Sequence, residues 1–234
     1  MSGGRITVAS GAVRQDEPLL SRRGGAWGAA WAGLVVVVLG VLVVSEWQPL
    51  LDVDRSIDAA VQRWVPTAPW AVEVSLRLAD MGGFVISTYA AVAVVAILLV
   101  ARRWWAALTL GCLAAFAPLL TDLLKPVVDR TRPAWPVPLA TELTASFPSG
   151  HATAGIAVWA ACGVALGSLV RNPSWGALVA FPFIVLGVAM GLARLVLGVH
   201  WSTDVLAGWC VALFVAGIVG ALFVLPPYRP DAGR

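Results

Sequence analysis

Charge is scarce in this chain: Asp, Glu, Lys and Arg make up 12% of its 234 residues, against roughly a quarter in an ordinary soluble domain. Lysine occurs once, as Lys125, and histidine twice, as His151 and His200. The 16 basic residues exceed the 13 acidic ones by only three, and no basic stretch is interleaved with aromatics, which excludes a nucleic-acid-binding surface. Cysteine is equally sparse. Cys112, Cys162 and Cys210 each fall inside a different apolar segment, where a thiol is a small packing residue, so neither a disulfide framework nor a metal-ligand spacing is implied. The first apolar run follows Arg22 and Arg23 as a signal peptide would, but no small-x-small cleavage site closes it near Val43 to Trp47. It is read as a retained anchor. No internal repeat of transporter type is present.

What the chain has in excess is hydrocarbon. Hydrophobic residues reach 59% and the mean hydropathy is +0.85, outside the soluble range. A bilayer core about 30 Å thick is crossed by roughly 20 helical residues. Six segments meet that length: Trp27 to Ser45, Gly83 to Ala101, Trp104 to Leu124, His151 to Val170, Trp175 to Ala193 and Thr203 to Leu225. They are continuously apolar, without the alternation of barrel strands, so the expected fold class is all-α, an integral membrane bundle of six transmembrane helices. Residues 1–26 and 226–234 are expected as cytoplasmic tails around a membrane domain at 27–225.

Orientation follows the arginines. An inside N-terminus places Arg5, Arg14, Arg22, Arg23, Arg102, Arg103, Arg171, Arg229 and Arg234 in the cytoplasm, nine of the 16 basic residues. Outside, Arg55, Arg63 and Arg77 are balanced by Asp52, Asp54, Asp58, Glu73 and Asp80. The first outer loop, Glu46 to Gly82, carries Ile57, Ala60, Val61 and Trp64 at helical spacing, which predicts a short interfacial amphipathic helix. The second, Lys125 to Gly150, holds Pro126, Pro133, Pro136, Pro138 and Pro148, which exclude a long helix. Gly163 with Gly167, and Gly187 with Gly191, are small-xxx-small pairs expected at close helix contacts.

The lysine and both histidines all fall at outer ends of membrane segments, accompanied by Arg132, Ser149, Gly150, Arg194 and Asp204. Lys125, Arg132 and Arg194 supply three positive charges for the three non-bridging oxygens of a phosphoryl group. The run Ser146 to His151 leads into a helix, whose free N–H groups and dipole favour an anion, and Ser149 adds a hydroxyl. His200 and Asp204 stand four apart, so on a helix the carboxylate reaches one imidazole nitrogen and fixes the tautomer. A proton or ion pathway is the competing reading of such residues, but they gather at one surface, apart from Asp122, which is placed to pair with Lys125.

Three stretches, Lys125-Pro-Val-Val-Asp-Arg-Thr-Arg132-Pro133, Pro148-Ser149-Gly150-His151 and Arg194-Leu-Val-Leu-Gly-Val-His200-Trp-Ser-Thr-Asp204, resemble in order and spacing the signature of the type 2 phosphatidic acid phosphatase superfamily. The resemblance implies that His200 attacks phosphorus to form a phosphohistidine, that Asp204 orients it, and that His151 protonates the leaving oxygen. It implies phosphate binding by Lys125, Arg132, Ser149, Gly150 and Arg194, with Arg130 at a secondary basic position. Ala193 replaces the serine common before the arginine. No metal or other cofactor is implied. The expected partners are the bilayer and a lipid phosphate or diphosphate, with an undecaprenyl diphosphate-like lipid first and phosphatidic acid or phosphatidylglycerol phosphate next; no obligatory protein partner is inferred. The site is expected on the outer face. Vanadium haloperoxidases share the signature and a non-hydrolytic phosphate transporter would share the cations, so both remain as alternatives.

Overall fold

The computed structural model describes residues 22–136 and 139–223. Of the two expected tails, only residues 22–26 are described, and they already belong to the first helix. No strand occurs among the described residues. The helices are α1 (Arg22–Val44), α2 (Gln48–Trp64), α3 (Pro69–Gly82), α4 (Phe84–Val100), α5 (Trp104–Val128), α6 (Gly150–Ala154), α7 (Ala161–Gly167), α8 (Pro173–Val196) and α9 (Ser202–Phe223). A 3-10 turn, Val65–Thr67, links α2 to α3, and a π-helical turn, Gly155–Ala160, joins α6 to α7 in one run.

Five helices are long and apolar enough to cross a membrane: α1, α5, the Gly150–Gly167 run, α8 and α9. α4 has 17 residues and meets α3 at a bend of 59°; counting that bent pair as one span gives six. α1 lies along α9, α7 along α8, and α5 between α4 and α9. Leu98, Leu110 and Cys162 form one core, while Leu113, Ala117, Ala157, Ala212 and Val215 form another. Lipid cannot drive such helices together by hydrophobicity, so close backbone approach matters more than in water. Gly155 and Gly187 face each other so closely that a Cβ on either would run into the other's carbonyl. Both expected small-residue pairs lie on packed faces: Gly163 meets Phe183, Gly167 meets Gly176, and Gly191 meets Trp209. Outward, Trp27, Phe84, Tyr89, Trp105 and Phe181 are exposed, as side chains in contact with hydrocarbon are.

Two segments depart from expectation. α5 continues through Pro126 to Val128, because a proline in the last turn forfeits only one backbone hydrogen bond. The first outer loop contains two full helices in place of one short one. α2 turns its apolar residues Val53, Ile57 and Trp64 outward, as an interfacial helix does, yet buries Asp54 and Asp58 against the bundle.

Candidate active site

The site forms where the C-terminal ends of α5 and α8 meet the N-terminal ends of α6 and α9. α8 stops in a left-handed cap: Gly198 has φ +69°, its N–H donates to the Leu195 carbonyl, and the Val199 N–H donates to that of Arg194. That conformation favours glycine. The turn it makes carries His200, which is 2% exposed, and leads into the first turn of α9, where Asp204 is fully buried.

The hydrogen bonds of His200 fix its tautomer. Its Nε2 lies 3.0 Å from Arg132 Nη1, and a guanidinium only donates, so Nε2 presents its lone pair. Nδ1 therefore holds the proton and faces Asp204 Oδ2 at 3.4 Å. Burial pushes the His200 pKa below its usual value, and the charges of Arg132 and Arg194 act the same way against the opposing bond to Asp204. At neutral pH the imidazole is uncharged. Asp204 Oδ2 also accepts the Trp201 N–H at 2.9 Å, and Oδ1 takes Arg130 Nη1 at 2.6 Å.

The cations gather around one loop segment. Thr144 accepts from Lys125 Nζ at 3.2 Å through its hydroxyl and from Arg132 Nε at 2.8 Å through its carbonyl. Arg132 Nη1 additionally donates to the Val199 carbonyl at 2.8 Å. Burial lowers the pKa of Arg132, opposed by Glu142 and Asp204. Arg194, 2% exposed, forms an ion pair with Glu142, and its buried Nε has no partner among the described residues. Burial disfavours ionisation of Glu142, but the nearby charges, Arg194 first and Arg132 next, outweigh it and hold the carboxyl below its usual range. The Glu142 carboxylate stands in for an anionic ligand, with the cations Arg194 and Arg132 and the imidazoles of His151 and His200 around it.

Ser149 is the buried N-cap of the run that opens at Gly150, and its hydroxyl oxygen accepts the Ala152 N–H at 3.4 Å. A Cβ on Gly150 would meet nothing within 4 Å, so open space adjoins this helix start. His151 is held from α3: its Nε2 lies 3.1 Å from the Ala79 carbonyl, which fixes the proton on Nε2 and turns Nδ1 away from that carbonyl. Asp122 lies 3.7 Å from Lys125 Nζ, the expected pair. Arg130 is placed apart from the other cations. Its Nη1 bonds Thr203 and Asp204, its Nη2 bonds Asp54 Oδ2 at 2.6 Å, and it stacks over Trp201 at 5.4 Å. Among the described residues no group of three His, Cys, Asp or Glu side chains could hold a metal ion.

Four contributors escaped the sequence reading: Glu142, Asp54, Gln62 and the Ala79 carbonyl. Asp54, Asp58 and Gln62 recur at intervals of four, a readable stripe on α2. Glu142 sits in an irregular loop with no period to mark it, and a backbone carbonyl has no signature at all.

A bundle of membrane-crossing helices, with cations and a carboxylate-oriented histidine at one end, describes a membrane-bound phosphoric ester hydrolase. The family model described as the PAP2 superfamily matches residues 106–225, and the chain belongs to that superfamily. Phosphatidylglycerophosphatase B of Bacillus subtilis (strain 168) is 29% identical over 154 residues, which are 64% of this chain and 74% of that protein. Decaprenylphosphoryl-5-phosphoribose phosphatase of Mycolicibacterium smegmatis is 38% identical over 110 residues, 46% of this chain and 53% of that one. Its namesake in Mycobacterium tuberculosis is 33% identical over 124 residues, 52% and 62% of the two chains. The match thus spans between about half and three quarters of these relatives' lengths. The crystal structure of a transmembrane PAP2 type phosphatidylglycerolphosphate phosphatase from Bacillus subtilis superposes with a TM-score of 0.76 at 25% identity, covering 87% of this chain and all of that one.

Proposed function

We propose that the chain hydrolyses a phosphate monoester on the polar headgroup of a membrane lipid, through a phosphohistidine on His200. The observation that carries this reading is the contact between Arg132 Nη1 and His200 Nε2. It aims the imidazole lone pair at the guanidinium on which phosphoryl oxygens would rest, with the other nitrogen facing Asp204. In the first step Nε2 forms a bond to phosphorus as the bond to the leaving oxygen breaks, and His151, whose Nε2 proton is tied to the Ala79 carbonyl, acts as acid once the charge of the bound phosphate has drawn a second proton onto Nδ1, which it gives to that oxygen. In the second, His151 takes a proton from water as the hydroxide attacks phosphorus, the N–P bond breaks, and inorganic phosphate leaves. Lys125, Arg132, Arg194 and the N–H groups at Gly150 offset the charge on the equatorial oxygens. Phosphate has to displace the Glu142 carboxylate from Arg194.

The names of the relatives favour a monoester over the diphosphate expected first from sequence. Phosphatidylglycerophosphate and decaprenylphosphoryl-5-phosphoribose both carry a terminal phosphate on a polyol that a second phosphate joins to the lipid. On this reading the site faces outward with the termini inside, which Arg102, Arg103 and Arg171, in the short connections at the opposite helix ends, support.

The test is phosphate release by purified protein from phosphatidylglycerol phosphate, decaprenylphosphoryl-5-phosphoribose, phosphatidic acid and undecaprenyl diphosphate, in mixed micelles with chelator present. Preference for either of the first two, undiminished by chelator, is expected. Preference for the diphosphate would overturn the substrate assignment. Activity lost in chelator would overturn the metal-free mechanism, and vanadate-dependent halide oxidation without hydrolysis would overturn both.

A further inference from the structure

We propose that α2 is a clamp on the turn that carries His200, and that its Asp54 is a positioning residue for the Asp204–His200 pair; this rests on phosphoryl transfer through His200. α2 precedes the stretch matched by the family model, which begins at residue 106. Its residues Asp54, Asp58 and Gln62 share one face, and the outer two grip opposite ends of the catalytic turn. At the end of α8, Gln62 Nε2 donates to the carbonyls of Leu195 at 2.9 Å and Val196 at 3.2 Å. At the start of α9, Asp54 Oδ1 accepts from the Thr203 N–H at 2.9 Å and the Ser202 hydroxyl at 2.6 Å. Eight helical residues rise about 12 Å, and residues 197–201 lie between the two grips.

Helix capping accounts for Oδ1 alone. The second oxygen, Oδ2, accepts from the Thr203 hydroxyl and from Arg130 Nη2, each at 2.6 Å, and Arg130 Nη1 in turn holds Asp204 Oδ1 at 2.6 Å. Asp54 and Asp204 are both fully buried and Arg130 is nearly so, a setting in which charged hydrogen bonds set direction strongly. With Oδ1 turned to Arg130, Asp204 presents Oδ2 to the Trp201 N–H and to His200 Nδ1, 3.4 Å away. The imidazole cannot turn without breaking a chain anchored on α2.

Asp54→Asn keeps an oxygen for the α9 cap and removes the charge that holds Arg130. On the lipid of the panel that the wild type hydrolyses fastest, kcat is expected to fall by about 10- to 100-fold with KM changed by less than about 3-fold. Because Asp54 acts through Arg130, the double variant with Arg130→Gln should be no slower than Arg130→Gln alone. Gln62→Ala, which loosens the other grip, should lower kcat by about 3- to 10-fold with the same KM. Asp52→Asn, in the exposed pair with Arg55, should match wild type. A wild-type kcat in folded Asp54→Asn, losses that multiply in the double variant, or an unaltered Gln62→Ala would each overturn the clamp. Should Asp54→Asn not fold, the Gln62→Ala result decides alone. Activity in His200→Ala would sink the underlying reaction, whereas inactive His200→Ala beside full-speed Asp54→Asn would sink only the clamp.

Discussion

Residues from 106 onward and residues 22–105 contribute to the site in different currencies. The first region supplies the groups proposed to meet phosphate, namely Lys125, Arg132, His151, Arg194 and His200, with Asp204 behind His200, all at or near helix ends. The second supplies none of these, yet Asp54 and Gln62 of α2 and the Ala79 carbonyl of α3 hold the catalytic turn and His151 in place. Chemistry demands particular side chains at particular spacings and so leaves motifs. Positioning can be done by any buried donor or acceptor that arrives at the right point, and leaves almost none.

The comparison breaks most directly on the chemical side. His200→Ala and Asp204→Asn should each lower kcat by at least about 10⁴-fold in a protein that still folds; phosphate release in detergent checks this, and substantial turnover by either would move the chemistry elsewhere. Since burial sets the His200 pKa below its ordinary value, the imidazole stays neutral as pH falls through that value. The acid limb of wild-type kcat/KM that belongs to His200 is therefore expected below pH 6.5, and a limb above it would contradict the assignment.

His151→Ala should cost about 10²- to 10⁴-fold on a lipid substrate, and much less on an aryl phosphate whose leaving group needs no proton. Equal losses on the two would deny His151 the role of acid. Glu142→Gln removes the carboxylate that competes for Arg194, so inhibition by orthovanadate should tighten by about 3- to 10-fold. Weaker inhibition would mean that Glu142 assists anion binding.

The smallest change falls on the positioning side and is read in stability. Asp58, 1% exposed, has no hydrogen-bond partner for either carboxylate oxygen among the described residues. Burial, with Asp54 and Asp204 nearby, raises its pKa to about 7. The folded state thus holds the proton more tightly than the unfolded chain: its stabilising effect is complete below about pH 4 and is lost as pH rises through about 7. Asp58→Asn should remove that loss and melt above wild type at pH 8, by a difference on the order of 1–4 kcal/mol, with little difference at pH 4. Parallel melting curves across this range would show that Asp58 is not the group involved.

Much of the fold was legible because lipid imposes length: the long apolar runs became helices, with ends displaced by a few residues, as where α5 passes Pro126. That the residues of the three motifs come together at one end of the bundle was legible for the reason given above. α2 was half legible. Ile57 and Trp64 announced an apolar outer face, but charge counting treated Asp54 and Asp58 as surface counterions, since nothing local shows that a carboxylate will be met by Arg130 from 76 residues away. Glu142, which approaches Arg194 from an aperiodic loop, was invisible for the same reason.

The apolar outer face of α2 also determines the terms in which this protein meets its substrate. Val53, Ile57 and Trp64 are exposed beside the site, and Trp64 stands edge-on to Trp70 in the arrangement of a membrane-interface belt. On the proposed function, a lipid would reach Arg132 and His200 by lateral diffusion within a sheet, without passing through water. The concentration the enzyme senses is molecules per unit area, so diluting the substrate with inert lipid slows turnover at constant bulk concentration, and saturation is properly expressed as a mole fraction.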